Sequence, residues 1–125
     1  MHPTPTAGSA HAVVDSRNVT FEQAAMPWPP QGAPLAGTPR ATDFPLSSEP
    51  VETGIWECSP GSWRTVVQGY SELMHFVSGR ATITDADGRR LDVGPGVVLF
   101  VTDGWEGTWE VHETVRKSYC ITRTA

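Results

Sequence analysis

Apolar and polar positions divide this chain near residue 50. From Gly54 onward, short segments rich in β-branched and aromatic residues are each closed by glycine, proline or aspartate. Runs of that kind, bounded by turn-forming residues, read as strands. The segments are 53–58, 62–67, 72–78, 80–84, 90–93, 97–101, 107–112 and 115–122. Between them stand Pro60-Gly61, Gly69, Gly79, the hairpin signal Asp85-Ala86-Asp87-Gly88, Gly94-Pro95-Gly96 and Asp103-Gly104. Short strands at near-regular spacing, with no helical amphipathic stretch, predict an all-β jelly-roll barrel rather than an open sandwich.

The first half has a different texture. Pro27, Pro29, Pro30, Pro34, Pro39, Pro45 and Pro50 interrupt it. Proline lacks the backbone donor that a ladder needs and pushes its predecessor toward extended geometry, which disfavours regular helix and central sheet. The expected organisation is a flexible tail over 1–18, an extended arm over 19–50 and a barrel over 51–125. Val19, Phe21, Met26, Trp28, Leu35, Phe44 and Leu46 give the arm too much apolar surface to leave in water. It is expected to pack on the barrel or on a partner subunit, and a homodimer is expected.

Composition narrows the partners. A net charge of -5, with nine scattered Lys and Arg residues, leaves no basic face to neutralise phosphates, so nucleic acid is excluded as a partner. The longest apolar stretch, 97–101, has strand length, far short of the roughly 20 residues that cross a bilayer. The start, MHPTPTAGSAHAVV, has neither a basic opening nor a continuous apolar segment, so a cytoplasmic, membrane-free protein is expected. Cys58 and Cys120 form neither a CxxC motif nor a zinc-knuckle spacing and are expected to be reduced strand residues. Glu57 beside Cys58 disfavours a reactive thiolate there.

Two motifs carry a resemblance. Glu72 and Gly79 in ELMHFVSG match the closing half of the first cupin motif. Gly96 and Gly104 in GVVLFVTDG match the glycines of the second, with Thr102 in place of its proline. More specifically, GIWECSPGSWR, ELMHFVSGRATITDADG and GWEGTWEVHETVRKSY resemble the small single-domain, RmlC-like cupins related to ureidoglycine aminohydrolase and to ethanolamine-utilisation cupins. The resemblance covers 54–121 and implies the fold more firmly than a function. In metal-binding cupins it implies a His-x-His pair, the motif glutamate and a second-motif histidine. Here the pair falls on Thr65 and Val67, or on Val66 and Gln68, and the last histidine falls on Gly107. Only Glu72 survives, and one carboxylate without imidazole is a poor transition-metal site, so no metal and no cofactor are expected.

Strand alternation selects the interior. Counting in twos from Glu72 reaches Met74 and Phe76, and from Gly107 reaches Trp109 and Val111, an apolar lining around one acid. His75 and His112 fall on the opposite faces. Buried without a cation, Glu72 would be a general acid or a neutral hydrogen-bond donor; satisfied by an arginine or by backbone donors, it would simply hold the strand register. Among five tryptophans, Trp56 and Trp109 have the best claim to a pocket, and Arg64 is either a solvated strand residue or a cation that binds a carboxylated ligand or pairs with Glu72. For Arg116 and Lys117, an outer salt bridge explains the two charges as well as a site would.

The expected function is a small-molecule-binding cupin without metal, its pocket centred on Glu72 and flanked by Trp56, Arg64 and Trp109, taking a small polar or carboxylated ligand. Whether it is an enzyme stays open at this point. The alternatives are a divalent-metal enzyme acting on a small nitrogenous metabolite, as the resemblance to ureidoglycine aminohydrolase implies, and a non-catalytic dimeric regulatory or assembly module.

Overall fold

The computed structural model describes residues 13–19, 26–27 and 33–124. Among these residues there are nine strands: β1 (Met26–Pro27), β2 (Ala36–Gly37), β3 (Arg40–Ser47), β4 (Glu52–Cys58), β5 (Gly61–Val66), β6 (Tyr70–Asp85), β7 (Arg90–Val93), β8 (Val98–Val101) and β9 (Glu106–Arg123). Every pairing is antiparallel. No helix among the described residues is long and apolar enough to cross a membrane.

The frame is a long ribbon of β6 and β9, paired from Tyr70↔Arg123 to Asp85↔Gly107. On its outer edges the two ends of the ribbon recruit different partners. The first half of β6 takes β8 and its second half takes β7, while the last part of β9 takes β4 and its first part takes β5. A sheet so arranged closes its two halves face to face, which is the jelly-roll architecture expected from the spacing of the strands.

The expected breaks at Gly79 and after His112 are bends inside single strands. Three register shifts between Phe76 and Ala81 turn the ribbon without ending its ladder. Inward positions on β6 therefore change parity, from Glu72, Met74 and Phe76 to Ala81 and Ile83, whereas β9 keeps Trp109, Val111, Val115 and Lys117 inside. Gly79 makes the bend possible. Its φ is +83°, and a Cβ there would stand 2.0 Å from the Thr114 carbonyl oxygen of β9.

The sheet also begins earlier than the prolines predict. Residues 40–47, expected in the arm, form β3 along β4, and Pro45 sits where the β3–β4 register shifts before Ser47. Part of the stretch expected to be a tail is clasped to the barrel, where Arg116 donates to the carbonyls of Ser16 and Arg17 at 3.1 and 3.2 Å, and Val19, at the start of the expected arm, is buried. Phe21 and Trp28 of the expected arm lie outside the described residues.

Gly79→Ala is expected to destabilise the fold by several kcal/mol, because a left-handed alanine costs roughly 1–2 kcal/mol and the clash with Thr114 adds to it. Gly88→Ala shares the positive φ, at +90°, but meets nothing within 4 Å, and is expected to lose only about 1 kcal/mol. Urea unfolding of the two variants measures the difference.

Candidate functional site

Inside the barrel lies a cavity of about 220 Å³. Three of its lining residues belong to one cross-sheet row: Asp43 on β3 faces Trp56 on β4, Trp56 faces Lys117 on β9, and Lys117 in turn faces Phe76 on β6. Two rows further along, Glu52, Ile121, Glu72 and Val101 are paired in the same way. Inward-pointing side chains of one row stack on those of the next, because strand residues two apart share a face.

Lys117 and Glu72 join these rows. Lys117 Nζ donates to Glu72 Oε2 at 2.7 Å, with the two side chains only 8% and 10% exposed. The ammonium also lies 4.6 Å from the Trp56 ring centroid and 5.1 Å from that of Trp109. A cation held by a carboxylate and two indole faces is stabilised although little of it meets solvent. Trp109 in turn stacks on Trp63, its partner across β5 and β9, at 5.7 Å and 14°, and Trp56 meets both rings edge-on. Three indoles thus wall one side of the ion pair.

The rest of the lining is more polar than expected. Tyr119 Oη donates to Asp43 Oδ1 at 2.7 Å. Burial pushes the Asp43 carboxyl above its usual range, opposed by that hydrogen bond, and burial followed by the Asp43 contact drives the Tyr119 phenol far upward. Glu52 is met from the rim by Arg123, at 2.8 Å. Thr65 also faces the cavity, and its hydroxyl is buried with no hydrogen-bond partner among the described residues.

Of the residues expected at the site, Glu72, Trp56 and Trp109 line the cavity and Arg64 does not. Trp63 and Thr65 point inward, so alternation sends Arg64 outward, where it is 62% exposed and pairs with Glu106 at 3.7 Å. Arg116 and Lys117, for which residue types alone leave an outer salt bridge and a site role level, are split for the same reason. Arg116 pairs outside with Glu57, and Lys117 is the interior cation. Nor is Glu72 an isolated acid, since Lys117 meets it and Asp43 and Glu52 share the cavity.

His75 is exposed, and His112 is bonded to Thr82 at 2.8 Å, away from the lining. Burial pushes the Cys58 thiol up to about 12, with the neighbouring Glu57 a lesser contribution. No thiolate is available there at neutral pH.

Two signals for Lys117 were present in the sequence. Counting in twos from Trp109 through Val115 reaches it, and it is the only lysine of the chain, all other basic residues being arginine. Asp43 gave no such signal, because it stands in the proline-rich stretch.

A metal fits this lining poorly. Thr65, Val67 and Glu72 do face the cavity, so the inward register of the expected ligand positions is the one that places them on Thr65 and Val67. At Gly107, a Cβ would stand 2.5 Å from the Trp105 ring and 2.4 Å from the Thr84 carbonyl oxygen. The indole fills the space that a ligand side chain would need. The remaining carboxylate is engaged by an ammonium, and no group of three His, Cys, Asp or Glu residues among those described could hold an ion.

A closed antiparallel jelly roll with its cavity inside defines the class as a cupin barrel. The sequence profile of the EutQ-like cupin domain matches residues 46–119, more than half the chain, and the chain belongs to that family. No curated protein matches it. Among solved structures, it resembles the EutQ protein of Clostridium difficile, with a TM-score of 0.61 and 19% identity over 68% of this chain and 69% of that one. A Salmonella typhimurium structure described as ethanolamine utilization protein Q gives a TM-score of 0.68 and 18% identity over 98% and 92%. A DUF861 family protein of Pseudomonas syringae gives 0.68 and 24% over 81% of this chain but only 45% of its own length. At these identities the similarity concerns the fold.

Lys117→Met is expected to destabilise the protein by about 3–5 kcal/mol, since it strands a buried carboxylate. The double variant Lys117→Met/Glu72→Gln, which removes both charges, is expected to recover most of that loss. Urea denaturation of the wild type, the two single variants and the double variant completes the cycle.

Proposed function

We propose that this cupin binds a small polar molecule, uncharged or cationic, in the barrel cavity, against the Lys117–Glu72 pair and the indole wall, without a transition metal. The charge of the lining carries this reading. Asp43, Glu52 and Glu72 face the cavity, and Lys117 is the one ammonium among the residues lining it. With Arg64 outside, a carboxylated ligand has no uncommitted cation to meet, whereas an amine or amide gains both the acids and the indole faces. The volume lies below the roughly 300 Å³ at which drug-sized pockets begin, so the ligand is small.

The protein is further proposed to act in the cytoplasm as a homodimer. Leu73, Phe100 and Val98, exposed side by side on β6 and β8, support a pairing surface. The alternative of a metal-dependent hydrolase acting on a nitrogenous metabolite would need ligands that the cavity does not offer.

The test is thermal unfolding with matched small amines, amides, alcohols and carboxylates, combined with elemental analysis of untagged protein. A ligand at a hundred times its Kd adds about 2.7 kcal/mol, a rise in Tm on the order of 10 °C for a domain of this size. Amines or neutral polar compounds are expected to raise Tm and carboxylates to leave it unchanged. Near one metal per chain, lost in Glu72→Gln, would instead establish the metal-enzyme reading.

A further inference from the structure

The Lys117–Glu72 pair has a chemical capacity that binding does not use. We infer that Lys117 is a nucleophilic amine that captures a small carbonyl compound as an imine, with Glu72 moving the protons. This rests on the proposed reading of the cavity as a ligand site and adds the class of ligand that reacts there.

The first argument is the choice of side chain. Eight of the nine basic residues are arginine, and the single lysine stands inside the barrel. As a partner for a buried carboxylate, arginine would be superior, since its planar fork bonds both oxygens and stays charged. It cannot become a neutral nucleophile, and lysine can.

Geometry supplies the proton path. Lys117 Nζ already donates to Glu72 Oε2 at 2.7 Å, so passing one proton along that bond yields a free amine and a carboxylic acid without moving a heavy atom. The amine lone pair attacks the carbonyl carbon, forming the C–N bond as the C=O π electrons move to oxygen. Glu72 returns its proton to that oxygen and takes one from nitrogen, leaving a carbinolamine. It then protonates the hydroxyl, the C–O bond breaks, and water departs as the nitrogen lone pair forms C=N. In sum, an ammonium and a carbonyl compound give an iminium and water, with Glu72 ionised before and after.

The surroundings suit the product as well as the resting state. An iminium at Nζ keeps the positive charge beside Glu72 and near the faces of Trp56 and Trp109, so the contacts that hold the ammonium hold the adduct. The cavity next to Nζ leaves space for the captured carbon chain, beside the side chains of Thr65 and Met74. No oxidant, reductant or metal enters the balance.

Because the chain has one lysine, the experiment is direct. The full-length protein is incubated with propanal and sodium cyanoborohydride at neutral pH, and the peptides are mapped by mass spectrometry, with the chain's α-amino group as an internal reference. Reductive trapping on Lys117 is expected to outpace that reference in the folded protein. It is expected to slow about a hundredfold in Glu72→Gln, the lower range of general acid–base effects, and to vanish in Lys117→Arg, which keeps the cation.

Labelling of the α-amino group with none on folded Lys117, although urea-unfolded protein is labelled there, would overturn the inference. Equal rates in wild type and Glu72→Gln would overturn the role of Glu72. If unreactive amines or amides raise Tm while Lys117 stays unlabelled, the binding reading stands and the imine falls. If neither effect is seen, both fall.

Discussion

The ion pair between Lys117 and Glu72 is the constraint around which the interior is organised. Taking two charges out of water costs several kcal/mol per ion, and a close, shielded contact is what offsets it. Each neighbouring feature contributes to that contact. Trp56 stands opposite Lys117 in the β4–β9 ladder and places an indole face by the ammonium, and the Trp63–Trp109 stack backs it across β5 and β9. The pair also ties β6 to β9, the two strands that carry every other part of the barrel.

The same pair explains why the cavity is poorly suited to a transition metal. A bound divalent ion would neutralise inward carboxylates through several protein donors at once. Here one carboxylate is neutralised by a side-chain cation, Thr65 and Val67 occupy two positions where imidazoles would stand, and the Trp105 ring closes the space beside Gly107. A fixed ammonium brings a proton and a latent nucleophile in place of open coordination positions. The inferred chemistry is therefore that of proton transfer and amine addition, beside two further acids, Asp43 and Glu52, which Tyr119 and Arg123 meet.

Those acids depend on how the chain closes the barrel. Asp43 reaches the cavity only because the proline-rich stretch contributes β3 to the sheet, and Tyr119 meets it from β9 at 2.7 Å. The bend of the β6–β9 ribbon at Gly79 has a similar reach. By changing the inward parity of β6 between Phe76 and Ala81, it lets Ile83 and Met74 line the same cavity from opposite ends of one strand.

Strand-rich character, turn positions and the cupin resemblance were legible from residue types alone, because turns and alternation are local properties. So were the inward faces of Glu72 and Trp109, two-residue periodicity being enough to choose a side. Carried on to Val115 and beyond, the same count would have brought Lys117 inside, and carried back from Thr65 it would have put Arg64 outside. What local pattern could not supply was the partner of each inward group. Glu72 and Lys117 are 45 residues apart, and Asp43 and Tyr119 are 76 apart. Only the register of β3, β4, β6 and β9 decides that these side chains meet, and that register is set by bulges and by the closure of the whole sheet. The sequence determined the inward faces of strands whose alternation runs unbroken; the tertiary structure decided that Asp43 joins them and which charges meet there, because an interaction between buried groups depends on distances that no single strand defines.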